Sequence, residues 1–177
     1  MTELEVDGNL FKFDDGCDVL QYDEWSFFNN RIKSSVSRFG PMACDFVVVD
    51  GETLYLIEAK DYSYPPGTTM PKIDDLAETV SAKGFQTLAG LFAGARYVST
   101  GGHDFCVTAL KCTRVVICLS IEPPRRLQGR LWRDQPMKLL REAVKRRVKY
   151  LETRPQVISN KTPNPALPWT SRRIPRD

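Results

Sequence analysis

The residues best suited to chemistry sit in one run, Asp45-Phe-Val-Val-Val-Asp-Gly-Glu-Thr-Leu-Tyr-Leu-Ile-Glu58-Ala59-Lys60. The β-branched stretch from Ala43 to Val49 and the extended stretch from Leu54 to Ala59 flank Asp50-Gly51-Glu52, a pattern that predicts an antiparallel hairpin. Antiparallel pairing returns Glu58 and Lys60 to the end of the sheet where Asp45 begins it. Glu58 and Lys60, two apart, share a face, while Ala59 points away and offers its carbonyl near the same edge. Two carboxylates and a carbonyl are hard oxygen donors of the kind Mg²⁺ takes. A lysine beside such an ion can orient a bound water or help deprotonate it, and can offset charge building on a phosphate. Hydrolysis of a phosphodiester needs those groups. The same residues also allow a simpler arrangement, with Glu58 and Lys60 as a same-face ion pair and Asp45 as a turn residue.

Positioning such a cluster requires a sheet and covering helices. Trp25, Phe28, Ile32, Val36 and Phe39 recur at spacings of three and four, predicting a first helix from about Val19 to Phe39, capped by Asp18 and Gln21 and stopped by Gly40-Pro41. Before it, Phe11 to Phe13 alternate and Asp14-Asp15-Gly16 reads as a turn. Tyr62 to Lys72, with Pro65-Pro66-Gly67 and Pro71, is a loop. Ile73 to Arg96 carries Ile73, Leu76, Val80, Leu88, Leu91 and Ala95 on one stripe, a second long helix whose glycines permit close packing on a sheet. Phe105 to Leu110 is expected to be extended, and Arg114 to Ser120 to be a buried central strand. Pro136 opens an amphipathic helix with Leu139, Leu140, Ala143, Val144, Val148 and Leu151 on one side. Its other side carries Lys138, Arg141, Lys145, Arg146 and Lys149. The fold class is therefore α/β, a central mixed sheet with an antiparallel hairpin, flanked by helices and ending in a basic helix. Residues 1–153 form one domain, and residues 154–177 a Pro- and Arg-rich tail that is extended, docked or disordered, with Trp169 as its anchor.

The 177 residues have a formal net charge of +3, which hides a division. Residues 125–177 carry a net +11 and residues 1–124 a net −8. A basic terminal third fits a polyanion partner as well as it fits a solvated surface. Five cysteines without a C-x-x-C pair suggest neither a disulfide framework nor a zinc site, and are expected to be small buried hydrophobes. Cys44 lacks a plausible His partner for nucleophilic catalysis. The only histidine, His103, falls in a Gly-rich stretch and is expected in an exposed loop. No apolar run reaches the roughly 18 residues of a membrane span, and Met1-Thr2-Glu3-Leu4-Glu5 does not resemble a signal peptide, so the chain is read as cytoplasmic and without a membrane partner. Phosphate-loop, dinucleotide-binding, nucleophile-elbow and zincin motifs are missing.

The Asp45, Glu58-Ala59-Lys60 constellation resembles the PD-(D/E)XK nuclease superfamily, the restriction-endonuclease-like fold. The resemblance covers roughly residues 18 to 122, as an order of helix, hairpin, long helix and buried strand. Cys44 rather than proline precedes Asp45, a position that varies widely in the superfamily. The resemblance implies a Mg²⁺-dependent deoxyribonuclease, with Mn²⁺ as a substitute, acting in phage defence, restriction or DNA processing. It implies that Asp45, Glu58 and the Ala59 carbonyl hold the ion and that Lys60 activates water. An acidic first-helix ligand would be Glu24, with Asp23 and Asp18 as competitors. A polar residue on the helix after the hairpin would be Gln86 or Lys83, which lie on one stripe with Thr79 and Gly90. Phosphate contacts would come from Lys83, Arg125, Arg126, Arg141, Lys145, Arg146 and Lys149. Sequence specificity would be borrowed from a larger protein subunit, and cleavage of both strands would favour a homodimer. A member of the same superfamily without catalysis would serve as a nucleic-acid- or protein-binding module.

Overall fold

The computed structural model describes residues 1–35, 40, 42–97, 101–127, 135–151 and 154–175. Two hairpins open the chain. β1 (Thr2–Val6) and β2 (Asn9–Phe13) pair antiparallel around Asp7-Gly8, where both residues take positive φ. β4 (Phe46–Asp50) and β5 (Thr53–Asp61) form the expected hairpin around Gly51, whose φ of 54° is the conformation a two-residue turn demands and a glycine accepts without strain. β3 (Asp18–Gln21) adds antiparallel to β4, β6 (Arg114–Glu122) adds parallel to β5, and β7 (Gln156–Ile158) adds parallel to β6. The five-stranded sheet thus has the order β3-β4-β5-β6-β7. A smaller antiparallel sheet has the order β1-β2-β8, closed by β8 (Trp169–Arg173).

The central sheet is covered on both faces, which is why Phe46, Val47, Val48 and Val49 are all buried in succession rather than alternately. Phe46, Val48, Ile57, Ala59 and Cys118 pack with Phe11, Phe13 and Trp169 of the small sheet. Val47, Val49, Leu54, Leu56, Ile117 and Leu119 pack on the other side against helices. Those helices are α2 (Ile73–Gly94), α3 (His103–Ala109) and α4 (Pro136–Arg147), joined by a π-helical turn (Phe28–Ile32) running into the short α1 (Lys33–Ser35). Among the described residues no helix is long and apolar enough to cross a membrane.

Three expectations change. The first helix begins later: Asp18–Gln21 is strand β3, so Asp18 and Gln21 cap nothing. Its inward stripe is real from Trp25 and Phe28 onward, but Val19 and Leu20 face opposite cores, as a strand covered on both sides requires. Val36, Phe39 and the Pro41 stop lie outside the described residues. Phe105 to Leu110 is helical, with Cys106 and Ala109 turned inward three residues apart, and the run is too short for a period of 3.6 to be told from a strand. His103 is accordingly not in a loop: it starts α3, is half-buried, and lies 3.0 Å from the Asp104 carboxylate. The segment from 154 onward is docked, supplying β7 to one sheet and β8 to the other, and Trp169 is buried as expected. The cysteines are all free, and Cys44, Cys106 and Cys118 are buried.

α2 lies close on the sheet because its contact positions are glycines. A Cβ on Gly84 would press Ile117, and one on Gly90 would overlap the hydroxyl of Tyr22. Tyr22 is fully buried and its hydroxyl has no hydrogen-bond partner among the described residues. Ala normally favours a helix interior by about 1 kcal/mol over Gly. Here the overlap reverses the sign, and Gly90→Ala is expected to destabilise by about 1–3 kcal/mol in urea unfolding. Tyr22→Phe alone should be neutral or stabilising, because it removes an unsatisfied polar group. Combined with Gly90→Ala it should recover most of the loss, and strict additivity of the two would contradict this packing.

Candidate active site

The hairpin register sets Phe46 opposite Ile57, and the Asp45 N–H donates to the Ile57 carbonyl at 2.9 Å. One step further along, Asp45 stands across from Glu58, and both side chains leave the sheet on the α2 face shared by Val47 and Leu56. The two carboxylates are held differently. Asp45 Oδ2 accepts the Ala59 N–H at 2.6 Å, so the residue between Glu58 and Lys60 fixes its orientation. Glu58 is fully buried, and its Oε1 takes both Lys60 Nζ at 2.8 Å and Lys83 Nζ at 2.7 Å. Its Oε2 is buried with no hydrogen-bond partner among the described residues.

α2 and the chain ahead of β4 hold this arrangement from outside. Lys83, Gln86 and Thr87 lie on one side of α2, three and four residues apart. Lys83 reaches Glu58, the Gln86 side-chain oxygen accepts the Met42 N–H at 3.0 Å, and the buried Thr87 hydroxyl accepts the Cys44 N–H at 2.9 Å. Gln86 therefore positions the chain entering Asp45. Its amide oxygen is committed to the backbone there, which differs from the expected catalytic placement. Thr87 was not singled out in the sequence, although its i+4 spacing from Lys83 marks the same stripe. On the other side, the Tyr22 N–H donates to the Asp45 carbonyl at 2.8 Å.

Beside the pair opens a cleft of about 420 Å³ lined by Asp23, Glu24, Asn29, Lys33, Asp45 and Lys83, with Phe28 and Ala43 as its apolar wall. The first-helix acid is thus brought to the site, but by the turn after β3 and not by a helix. Glu24 is exposed there, whereas Asp23 is half-buried with a buried Oδ1 that has no partner among the described residues. Burial, and next the Glu24 charge, raise the Asp23 carboxyl. Asp18 lies in β3, opposite Val49, away from this cleft.

Electrostatics sort the groups by role. Burial first, and then the Glu58 charge, push the Asp45 carboxyl up to about 7 against the opposing pull of Ala59 N–H, Lys60 and Lys83. For Lys60 burial is the largest influence and works against the ammonium, but Glu58, Asp45 and Asp7 together outweigh it and hold the amine above its ordinary value. Lys60 therefore stays charged at neutral pH. Cys44, fully enclosed, has its thiol raised chiefly by burial, in line with a core residue.

Among the described residues no group of three or more His, Cys, Asp or Glu is gathered for a metal ion. The oxygens present nevertheless fit a hard divalent cation that keeps most of its waters. Both ammoniums occupy one oxygen of Glu58, and its Oε2 has no hydrogen-bond partner among the described residues, next to an Asp45 carboxyl raised by burial and the Glu58 charge.

The basic residues divide between two places. Arg125 and Arg126 form a single 3₁₀ turn after β6, at the end of the sheet that carries Glu58, and Arg125 lines a small groove with Tyr64 and Arg173. Arg141 and Lys145 instead line a groove with Arg154 and Gln156. Arg146 and Arg147 reach Asp74 at the start of α2, at 4.0 and 3.4 Å, and Lys149 lies in the short turn after α4.

No family model matches the chain, and no solved structure matches it. A cysteine–tRNA ligase of Neisseria meningitidis serogroup A / serotype 4A is 27% identical over 150 residues, which is 70% of this chain and 22% of that protein. The chain spans about a fifth of that relative's length.

The Asp45 environment makes a prediction that needs no activity. An unfolded aspartate loses its proton near pH 4, the folded one near 7, so between these values the folded state holds the extra proton. Stability should fall as pH rises from 4 to 7, by on the order of 4 kcal/mol, and level off above. Asp45→Asn keeps an acceptor for the Ala59 N–H and removes the titration. Urea midpoints in EDTA should show the variant gaining on wild type up to about pH 8, and parallel pH profiles for the two proteins would refute the assignment.

Proposed function

We propose that the chain is a metal-dependent nuclease that hydrolyses phosphodiester bonds in DNA, on a restriction-endonuclease-like core. The observation that carries this reading is the buried Oε2 of Glu58 beside Asp45, without a hydrogen-bond partner among the described residues, in a carboxylate held at the end of a hairpin by two lysines. Asp45, Glu58 Oε2 and the Ala59 carbonyl would hold Mg²⁺, or Mn²⁺ in its place. When bound, the ion lowers the pKa of a bound water and polarises a phosphoryl oxygen.

The chain's own residues do the rest. Ala59 N–H fixes one oxygen of Asp45 and so aims the other. Lys60, kept as an ammonium, orients the attacking water and screens charge on the phosphate, a role that suits it better than accepting a proton. Lys83 pairs with Glu58 and, at the cleft wall, would be within reach of a bound phosphate. Asp23 and Glu24 line the approach and offer further oxygen donors. Restriction, phage defence and DNA processing use the same chemistry.

One observation favours a second reading. Lys60 and Lys83 already balance Glu58, so the fold is charge-satisfied without an ion, as a silent nucleic-acid- or protein-binding subunit would be. The similarity to a protein that acts on tRNA adds RNA to the substrates worth testing, while its span, 22% of that ligase, gives no ground for proposing aminoacylation.

Supercoiled plasmid, linear single- and double-stranded DNA and a folded tRNA, incubated with Mg²⁺ or Mn²⁺, should be cut by wild type. Glu58→Ala and Lys60→Ala should each lower the rate about 100-fold or more. Mn²⁺ binding followed by calorimetry should disappear in Glu58→Ala. Mn²⁺ binding and cutting both missing from wild type, with nucleic-acid binding intact, would replace the nuclease with the silent module.

A further inference from the structure

A second concavity, larger than the cleft at the acidic pair, lies away from it. β7 accompanies β6 only over Cys118–Ser120, so the stretch from Arg114 to Ile117 has no strand beside it on that edge among the described residues. A groove of about 670 Å³ occupies this place, lined by Thr113, Arg114, Val115, Tyr150, Arg154 and Gln156 among others. Arg154 and Gln156 also line the adjoining groove of about 250 Å³ that contains Arg141, Lys145 and Glu142. The two form one continuous channel with four cationic side chains, Arg114, Arg154, Arg141 and Lys145, all exposed. Among the described residues the acids beside them are Glu142, 3.9 Å from Arg141, and Glu52, whose carboxylate accepts the Thr113 hydroxyl at 3.3 Å.

Aromatic surface accompanies the charge. The Tyr150 ring is 57% exposed at the groove and packs edge-on against Phe85, itself 56% exposed, at 6.4 Å between centroids. Guanidinium groups spaced along a channel, with an exposed tyrosine at its wall, match a nucleic-acid strand: phosphates would pair with the cations and a base would stack on the ring. An acidic peptide would use the charges and the open strand edge but leave the ring without a role.

The groove is remote from the chemistry. The register sets Arg114 beside Thr53 and Leu119 beside Glu58, five residues further along the sheet. At about 3.3 Å per residue this is roughly 16 Å, or about five nucleotide steps of a B-form strand.

We infer that the Arg114–Tyr150–Arg154 groove along the open edge of β6 is a second nucleic-acid-binding surface, which holds the backbone of a strand at a distance from Asp45 and Glu58. The inference takes the ligand class from the nuclease reading, but its binding needs neither metal nor cutting.

The test uses the full chain in EDTA and a fluorescein-labelled 20-nucleotide single-stranded DNA, with affinity measured by anisotropy from 0.05 to 1 M salt. Arg114→Gln with Arg154→Gln removes two phosphate contacts and should flatten the log–log salt slope by about 1.4, weakening binding about 25-fold at 0.1 M salt and little near 1 M. Lysine at both positions should restore the slope. Both side chains are exposed, so thermal unfolding should not change, which separates lost contacts from lost fold. Tyr150→Ala should weaken DNA binding roughly tenfold and leave binding of decaglutamate unaltered, whereas Tyr150→Phe keeps the stack. Wild-type affinity and slope in the Gln variant would overturn the proposal. Equal binding of decaglutamate, with the same loss in Tyr150→Ala, would overturn it in favour of an acidic protein partner. Wild type in EDTA binds the DNA without metal or cutting, so groove binding with no cutting when Mg²⁺ is restored, or cutting that survives in the Arg114→Gln and Arg154→Gln variant with its weakened binding, tells the two readings apart.

Discussion

A fully buried carboxylate is the constraint around which this molecule is arranged. Glu58 lies in a central strand with apolar neighbours on both sides in sequence, Ile57 and Ala59, and its ionised form would be prohibitively costly there without counterions. One counterion, Lys60, comes from the same strand face. The other must come from above, and only α2 can deliver it. Lys83 therefore ties the height of α2 over the sheet to the charge of Glu58. The close approach of α2 passes through Gly84, where a Cβ would press Ile117 of β6, and Gly90, where one would overlap the Tyr22 hydroxyl. The polar contacts of Gln86 and Thr87 to the chain ahead of β4 follow from the same placement.

The other face of the same strands solves a different problem. Phe46, Ile57 and Ala59 would be left in water without the small sheet, and the chain covers them with its two ends, β1-β2 from the start and β8 from residues 169–173. The seam between the sheets is polar at the end near the site. Asp61 takes the Ser63 N–H and pairs with Arg173 of β8 at 3.4 Å, Asp7 accepts the Asp61 N–H, and Glu122 accepts the Asn160 N–H. Burial foremost raises the Glu122 carboxyl. Charged groups therefore flank the ends of β5 and β6 on both faces: Glu58 on the α2 side, next to the cleft that Asp45 and Lys83 line, and Asp61 on the other, paired with the Arg173 that lines the small groove. The small sheet serves as a clamp on the β4-β5 hairpin.

How much of this the sequence disclosed depended on whether a pattern was local. The β4-β5 hairpin and the convergence of Asp45, Glu58 and Lys60 followed from an Asp-Gly turn and a period of two, both readable within sixteen residues. α2 and α4 followed from long stripes. What escaped was decided at a distance. β3 looked like the start of a helix because Val19 and Leu20 carry no alternation when both faces of a strand are covered. α3 was too short to show a period. β7 and β8 depend on partners more than thirty and more than a hundred and fifty residues away, β6 and β2 respectively, and their Pro-rich surroundings concealed them. Lys83 was visible as a cleft residue, but its pairing with Glu58 required the height of α2, which no local pattern encodes.

The charge division of the chain takes on a different meaning in three dimensions. Read linearly, it suggested an acidic body and a basic end section. Folding places the two differently. β7 brings Arg154 back to the edge of β6, and the turn after α4 carries Tyr150 beside it, so part of the basic section gathers at the end of the sheet opposite the carboxylates, while Arg125 and Arg173 stay near them. At physiological ionic strength charges about 16 Å apart lie roughly two Debye lengths from each other, so the cationic groove draws little from the acidic cleft and neither cancels the other. A polyanion held only over the carboxylates would meet repulsion until a cation arrived. On the proposed reading, one held first at the remote edge would meet none, and its chain would then reach the cleft, where the two lysines and an ion would offset the acids. Separation of the cationic groove from the acidic cleft would thus let one fold keep its buried carboxylates and still attract a negatively charged strand.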